Sequence, residues 1–147
     1  MQKIVAAIDF SNATEAVVSH AIAYAKALGA SLDLLNVVFV PRDVVGGGML
    51  YIDEEKIRQD LDRHAREEMA KWERKVRDGG VEVVSHIAAG HPEVEIPAYA
   101  EKAGAGMLVI ATHGRTGLAH LLIGSVAEKV VRLSPVPVLT VPARFEQ

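Results

Sequence analysis

Short apolar runs and longer amphipathic stretches alternate along the chain, and this pattern predicts alternating β-strands and α-helices. The apolar runs are rich in Val, Ile, Leu and Ala and show little polar alternation, which is typical of strands buried on both faces of a parallel sheet. The predicted strands are Lys3–Asp9, Ser31–Val40, Val81–Ala88, Met107–Ala111 and Val136–Val141. Right-handed crossovers then give a doubly wound α/β fold, a five-stranded parallel sheet with helices on both faces.

The segments between the strands carry helix signals. A capping box at Asn12-x-x-Glu15 is expected to begin the first helix and Gly29 to end it. The remaining helices are predicted at 53–78, 91–104 and 123–133. The stripes predicted to face the core are Val17, Ala21, Tyr24 and Leu28 in the first helix, and Ile57, Leu61, Ala65, Met69, Trp72 and Val76 in the second.

Length and composition narrow the class of protein. The 147 residues suit one domain over 1–147, and neither a repeat nor a linker interrupts them. A net charge of −3 argues against general binding of nucleic acid or anionic lipid. The chain has no cysteine, which excludes disulfides, thiol catalysis and Cys-bearing zinc sites. Since no apolar stretch approaches the roughly 20 residues of a membrane span, we expect a soluble cytoplasmic protein.

The turn after the fourth strand is the strongest candidate for chemistry. It reads Ala111-Thr112-His113-Gly114, then nine residues, then Gly124-Ser125 at the start of a helix. Glycine permits close backbone approach to a ligand, and a helix N-terminus offers amide groups and partial positive charge to phosphate. From the spacing alone, plain turn glycines and an ordinary helix cap remain alternatives. The turn is not a Walker A loop, because no lysine precedes Ser125.

Three segments resemble the universal stress protein family. They are IVAAIDFSNAT near the start, Gly90-His91-Pro92-Glu93-Val94-Glu95-Ile96, and VIATHGRTGLAHLLIGSVAEKVVRLSPVPVLTV in the C-terminal half. The resemblance implies a Rossmann-like fold of the adenine nucleotide alpha hydrolase-like kind, frequent dimerisation, and in one branch ATP binding through G-x2-G-x9-G-[ST]. Here the first glycine of that motif is Ala111. If the backbone there is left-handed, alanine costs about 1–2 kcal/mol, whereas if only smallness matters it costs almost nothing.

The resemblance also implies which residues contact the nucleotide. Asp9 would accept hydrogen bonds from ribose or adenine or help hold a metal, the alternative being that it caps the first helix. Val37 would meet the adenine edge through its backbone, and Arg115 is either a phosphate ligand or a solvated loop residue. The complete predicted site is Ala7, Ile8, Asp9, Val37, Ile110, Ala111, His113, Gly114, Arg115, Gly117, Gly124, Ser125 and Val126.

Catalytic and metal chemistry find little support in the sequence. No serine, threonine or carboxylate is spaced to pair with His113, so we expect no catalytic residue. The six histidines lack an HExxH motif, so we expect no dedicated metal site, and Mg²⁺ would enter only with ATP. The Gly46-Gly47-Gly48 segment is either a lid over the nucleotide or a plain connection.

Three functions remain open at this point. The first is an ATP-binding stress-response regulator, a homodimer through Val136–Val141, a segment apolar on both faces and expected at a sheet edge. The second is a protein-contact module that binds no nucleotide, favoured by Ala111. The third is a slow ATP hydrolase or phosphotransferase, for which no transferring residue can be named.

Overall fold

The chain folds into a parallel sheet flanked by helices. A computed structural model describes residues 2–39, 53–113 and 123–142. In chain order the elements are β1 Lys3–Ala7, α1 Thr14–Leu28, β2 Ser31–Val38, α2 Glu54–Asp78, β3 Val83–Ala89, α3 Pro92–Lys102, β4 Met107–Ala111, α4 Ser125–Leu133 and β5 Val138–Val141. None of the helices in these three segments has the length and apolar composition that a bilayer crossing demands.

The sheet is five-stranded in the order β3-β2-β1-β4-β5, and every neighbouring pair is parallel. The strand order reverses between β1 and β4, so the chain winds outward in two directions from the centre. This confirms the doubly wound α/β fold and the edge position of β5. In such a sheet, ligands bind beyond the carboxyl ends of the strands at the reversal point.

The sheet is buried on both faces. In β1, Ile4 and Ala6 pack into the core shared with α1 and α2, whereas Val5 and Ala7 pack into the core shared with α3 and α4. This explains why the strand sequences show no polar alternation. The two cores fix the positions of all four helices relative to the carboxyl edge of the sheet.

The first helix differs from its prediction in two ways. It begins at Thr14 with Ala13 as the N-cap and no side-chain cap, so the capping box at Asn12 is wrong. Tyr24 and Leu28 are 42% and 52% exposed. The face that packs on the sheet carries small and β-branched residues instead, namely Val17, Val18, Ala21 and Ala25.

Other element bounds shift where local chemistry overrides the apolar pattern. Strand β1 ends at Ala7 rather than Asp9, because the chain turns immediately afterwards. Strand β5 begins at Val138, just after Pro137, rather than at Val136. The bounds of the second helix match their prediction closely, with Asp53 as the N-cap whose carboxylate accepts the Lys56 N–H at 3.3 Å. Leu61 of its predicted core stripe is 37% exposed, so that part of the prediction is wrong.

Candidate functional site

A cavity of about 410 Å³ opens at the carboxyl edge of the sheet, beside the reversal between β1 and β4. Its wall is largely apolar, with a few polar groups, and contains no lysine or arginine among the residues that the structure describes. Such a lining suits a flat apolar group joined to a polar one. The lining residues are Ala7, Ile8, Asp9, Thr14, Val17, Leu35, Val37, Phe39, Pro92, Ile96, Ile110, Ala111, Thr112, His113, Gly124, Ser125, Val126 and Ala127.

The structure brings most of the predicted site residues together around this cavity. Those that line it are Ala7, Ile8, Asp9, Val37, Ile110, Ala111, His113, Gly124, Ser125 and Val126. Gly114, Arg115 and Gly117 lie outside the described residues, as does the triglycine at 46–48. That the assembled residues bind a nucleotide stays a prediction at this stage.

A tight turn joins β1 to α1 and forms one rim of the cavity. Asp9 Oδ1 accepts the Ser11 N–H at 3.0 Å, and Ser11 Oγ accepts the Ala13 N–H at 3.3 Å. Between them Phe10 has a φ of 61°, a left-handed conformation that non-glycine residues rarely adopt. The Asp9 carboxylate therefore organises the turn rather than capping the helix.

The end of β4 decides between the two alternatives for Ala111. Ala111 is the last residue of β4 and is paired with Val141 in the ladder. Its φ is not positive, since Phe10 is the non-glycine residue with positive φ in the described part of the chain. Alanine therefore fits this strand position without left-handed strain.

Gly124 is required by a close backbone contact. Its N–H donates to the Thr112 carbonyl at 2.6 Å, which ties the start of α4 to the end of β4. A Cβ built on Gly124 would lie 3.0 Å from the same carbonyl oxygen, closer than nearly all real contacts of this kind. A larger residue would therefore require the Thr112 carbonyl to shift by a few tenths of an ångström.

The N-terminus of α4 forms part of the cavity wall. Glu128 is the first residue bonded within the helix, its N–H donating to the Gly124 carbonyl at 2.9 Å. The preceding amides of Ser125, Val126 and Ala127 have no acceptor inside the helix, and no side chain among the described residues caps it. All three residues line the cavity, so the wall at this end favours a negatively charged group.

His113 lies in the same wall but in no arrangement that identifies a catalytic base. Thr112 Oγ1 is 3.0 Å from His113 Nδ1, so the expectation that no hydroxyl pairs with this histidine is wrong. The hydroxyl belongs to the adjacent residue in the turn, which sequence spacing did not reveal. In the described segments, no group of three or more His, Asp or Glu side chains could hold a metal ion.

Sequence reasoning missed the part of the lining that comes from α1, α3 and the end of β2. Thr14 is 1% exposed, and its hydroxyl has no hydrogen-bond partner among the described residues. The ring of Phe39 packs against that of His91, with centroids 4.7 Å apart. Pro92 and Ile96 reach the cavity because Gly90, with a φ of 143°, turns the chain from β3 into α3. Pro92 and Ile96 did carry a sequence signal, because they belong with Gly90 to one of the segments that resemble the family, but nothing placed them at the cavity.

Comparison with known proteins identifies relatives over nearly the whole chain. The Universal stress protein family matches residues 1–142. Universal stress protein MJ0531 of Methanocaldococcus jannaschii is 34% identical over 140 residues, covering 95% of this chain and 81% of the relative. Universal stress protein MJ0577 of the same organism is 30% identical, covering 95% of this chain and 94% of the relative.

Solved structures share the fold. The structure of MJ0577 aligns with a TM-score of 0.86 at 29% identity, covering 99% of this chain and 98% of that one. Universal stress protein UspA from Lactobacillus plantarum aligns with a TM-score of 0.79 at 22% identity, covering 95% and 97%. A universal stress protein solved in complex with cAMP aligns with a TM-score of 0.63 at 23% identity, covering 95% of each chain.

Proposed function

Since the chain belongs to the universal stress protein family, we propose that it binds ATP in this cavity and acts as a stress-response regulator. Nucleotide occupancy would change its shape or its partners, with no turnover required. The observation that carries the proposal is the N-terminus of α4, where Ser125, Val126 and Ala127 line the cavity and their amides lack intrahelical acceptors. Amides without intrahelical acceptors at the positive end of a helix are suited to a phosphate chain.

The rest of the cavity lining suits an adenosine group. Ile96, Ile110 and Val37 offer apolar surface for a base, and Asp9 offers an acceptor for a ribose hydroxyl. A universal stress protein of this fold has been solved with cAMP, so the fold can hold an adenine nucleotide. The described lining holds one carboxylate and no metal cluster, so Mg²⁺ would arrive on the phosphates rather than in a protein site.

The protein-contact alternative loses its main support. It rested on Ala111 as a disabling replacement for glycine, but Ala111 is an ordinary strand residue without positive φ. The hydrolase alternative gains little support, because the Thr112–His113 contact joins neighbouring residues of one turn and identifies no transferring group.

Ser125→Asp tests the phosphate site without threatening the fold. Ser125 is exposed at the first position of α4, where an acidic side chain stabilises the helix. The same carboxylate would repel a triphosphate. We expect calorimetry to show ATP binding by the wild type and at least a tenfold weaker Kd for Ser125→Asp, about 1.4 kcal/mol, while the melting temperature stays equal or rises.

Two controls separate charge from shape. Ser125→Ala removes the hydroxyl but keeps the backbone amides, so it should lose far less affinity than the aspartate variant. Ser19→Asp adds the same charge on the exposed face of α1 and should bind ATP like the wild type. Absence of any heat with ATP, ADP or AMP in the wild type contradicts the proposed function.

The proposal includes a cytoplasmic homodimer formed along β5. The Pro137 and Val141 carbonyls accept from β4, at 2.9 Å from the Leu108 and Thr112 amides, so the intervening Val138 and Thr140 turn their backbone groups outward. The donor that Pro137 lacks therefore faces β4 and does not limit pairing with a second chain. An outward edge with two exposed donor–acceptor pairs invites such pairing.

Thr140→Pro tests this edge, because it removes an outward N–H and leaves the ladder to β4 in place. Light scattering at tens of micromolar should show a dimer for the wild type and a monomer for the proline variant. Thr140→Val keeps the N–H and should stay dimeric. A wild-type monomer would contradict the dimer without touching the nucleotide proposal.

A further inference from the structure

The hydrogen-bond ladder between β1 and β2 stops one step short at the cavity. The register pairs Ala7 with Leu35, and the Ile8 N–H then donates to the Leu35 carbonyl at 2.9 Å. In a regular parallel ladder the next bond would run from the Val37 N–H to the Ile8 carbonyl. Among the described residues no hydrogen bond joins these two groups.

A buried side chain holds the Ile8 carbonyl instead. Asn36 is 6% exposed, and its Nδ2 donates to the Ile8 carbonyl oxygen at 2.8 Å. Asparagine is costly inside an apolar strand unless its amide is hydrogen-bonded, so this bond explains how β2 accommodates it. Beyond Ile8 the chain enters the turn with the left-handed Phe10, and the described residues show no further backbone hydrogen bond between this segment and β2.

Val37 is the residue of β2 that lacks its expected hydrogen bond to the β1 segment. Backbone groups alternate sides along a strand, so the Val37 N–H and carbonyl face the same way as the Leu35 carbonyl, toward β1. Val37 also lines the cavity. A donor and an acceptor therefore lie side by side where β1 has turned away.

We propose that Asn36 is a positioning residue: by holding the Ile8 carbonyl, it keeps the Val37 N–H available to a ring-nitrogen acceptor of the bound base. This deepens the proposed function and rests on it. A base with a ring acceptor beside an amino donor, as in adenine, complements Val37. A base with the reversed pattern, as in hypoxanthine, does not. Asn36 itself touches no ligand.

Amide hydrogen exchange by NMR tests the arrangement without any nucleotide. In the wild type the Val37 amide should exchange at least a hundredfold faster than the amides in the middle of β2. In Asn36→Leu, which has a similar volume and no donor, the Val37 N–H should bond the Ile8 carbonyl and become protected. A protected Val37 amide in the wild type overturns the inference, and this measurement stands even if the variant fails to fold.

Calorimetry with ATP and ITP tests the link to the base. Asn36→Leu should weaken ATP binding about three- to tenfold, the loss of one neutral hydrogen bond, and should leave ITP less changed. Ser85→Ala is the control: it removes a partly buried hydrogen bond to Glu73, and neither residue lines the cavity. It should alter neither the exchange rate of the Val37 amide nor the ratio of the Kd values for ATP and ITP. An unchanged ratio in Asn36→Leu overturns the positioning role. If ATP binds neither the wild type nor Asn36→Leu, the proposed function is contradicted. The comparison of amide exchange rates then still decides whether Asn36 keeps the Val37 N–H free of the Ile8 carbonyl.

Discussion

Asp33 and Thr14 are buried polar residues near opposite ends of the sheet, and they differ in whether their side chains have hydrogen-bond partners. Near the amino end of β2, Asp33 is 2% exposed, and its Oδ2 has two partners, Lys3 Nζ at 3.2 Å and the Tyr99 hydroxyl, which donates at 3.0 Å. At the carboxyl end, the Thr14 hydroxyl has no partner among the described residues. The satisfied Asp33 cluster holds α3 on the sheet, whereas the unsatisfied Thr14 hydroxyl belongs to a residue that lines the cavity. Burial alone does not distinguish the two groups. A buried polar group with hydrogen-bond partners supports the structure, whereas one without a partner is available to a ligand.

The largest effect should come from removing a partner of Asp33. Lys3→Met keeps the aliphatic stem and leaves the buried carboxylate with only the Tyr99 hydroxyl. We expect a loss of about 2 kcal/mol in the free energy of unfolding, less than for a fully buried pair because the Lys3 side chain is 35% exposed. Urea denaturation measures this.

A matched control and a double variant sharpen that result. Lys71→Met breaks the exposed pair with Glu68 and should cost no more than about 0.5 kcal/mol. Lys3→Met combined with Asp33→Leu removes both charges and should recover most of the loss. If the double variant is as unstable as Lys3→Met, the loss in Lys3→Met does not come from an unpaired Asp33 charge.

The same cluster predicts a late tyrosine titration. Burial, and then the hydrogen bond and the negative charge of Asp33, raise the pKa of Tyr99 to about 12 from an ordinary value near 10. The phenol stays neutral in the folded protein at a pH where it ionises in the unfolded chain. Its contribution to stability is therefore complete below pH 10 and is lost as the pH rises toward 12. Absorbance titration should show a step near pH 12 that Tyr99→Phe removes. A step already complete by pH 10.5 would contradict the buried contact with Asp33.

At the carboxyl end of the sheet, removing the unpartnered Thr14 hydroxyl should stabilise the protein. Thr14→Val replaces the unpartnered hydroxyl by a methyl group of the same shape, and we expect a gain of about 1 kcal/mol in nucleotide-free protein. Thr112→Val is the matched control, because it removes a hydroxyl that does have a partner at His113 Nδ1, and it should not stabilise. A loss of stability in Thr14→Val, measured by thermal melting, would mean that this hydroxyl is satisfied.

The sequence predicted the fold better than the site, for a physical reason. Alternating apolar runs and the helix stripe of α2 reflect local periodicity, which one chain displays by itself. The cavity depends on contacts between distant segments, so Thr14 and Phe39 could not be assigned to it from their neighbours. Asn36 did carry a signal, a polar residue inside an apolar strand, but not its partner. The predicted cap at Asn12 failed because Asp9 and Ser11 formed the turn instead.

The smallest effect should come from restoring glycine at Ala111. Because Ala111 is an extended strand residue without positive φ, glycine gains no conformational advantage there and adds backbone freedom to the unfolded chain. Ala111→Gly should therefore bind ATP within about twofold of the wild type, under 0.5 kcal/mol, and lose about 0.5–1 kcal/mol of stability. Calorimetry and urea denaturation measure the two effects separately. Clearly tighter ATP binding by Ala111→Gly would mean that the bound state needs a backbone conformation at this position that the ligand-free strand does not adopt. A glycine at this position of the motif would then be required for nucleotide binding rather than for forming the sheet.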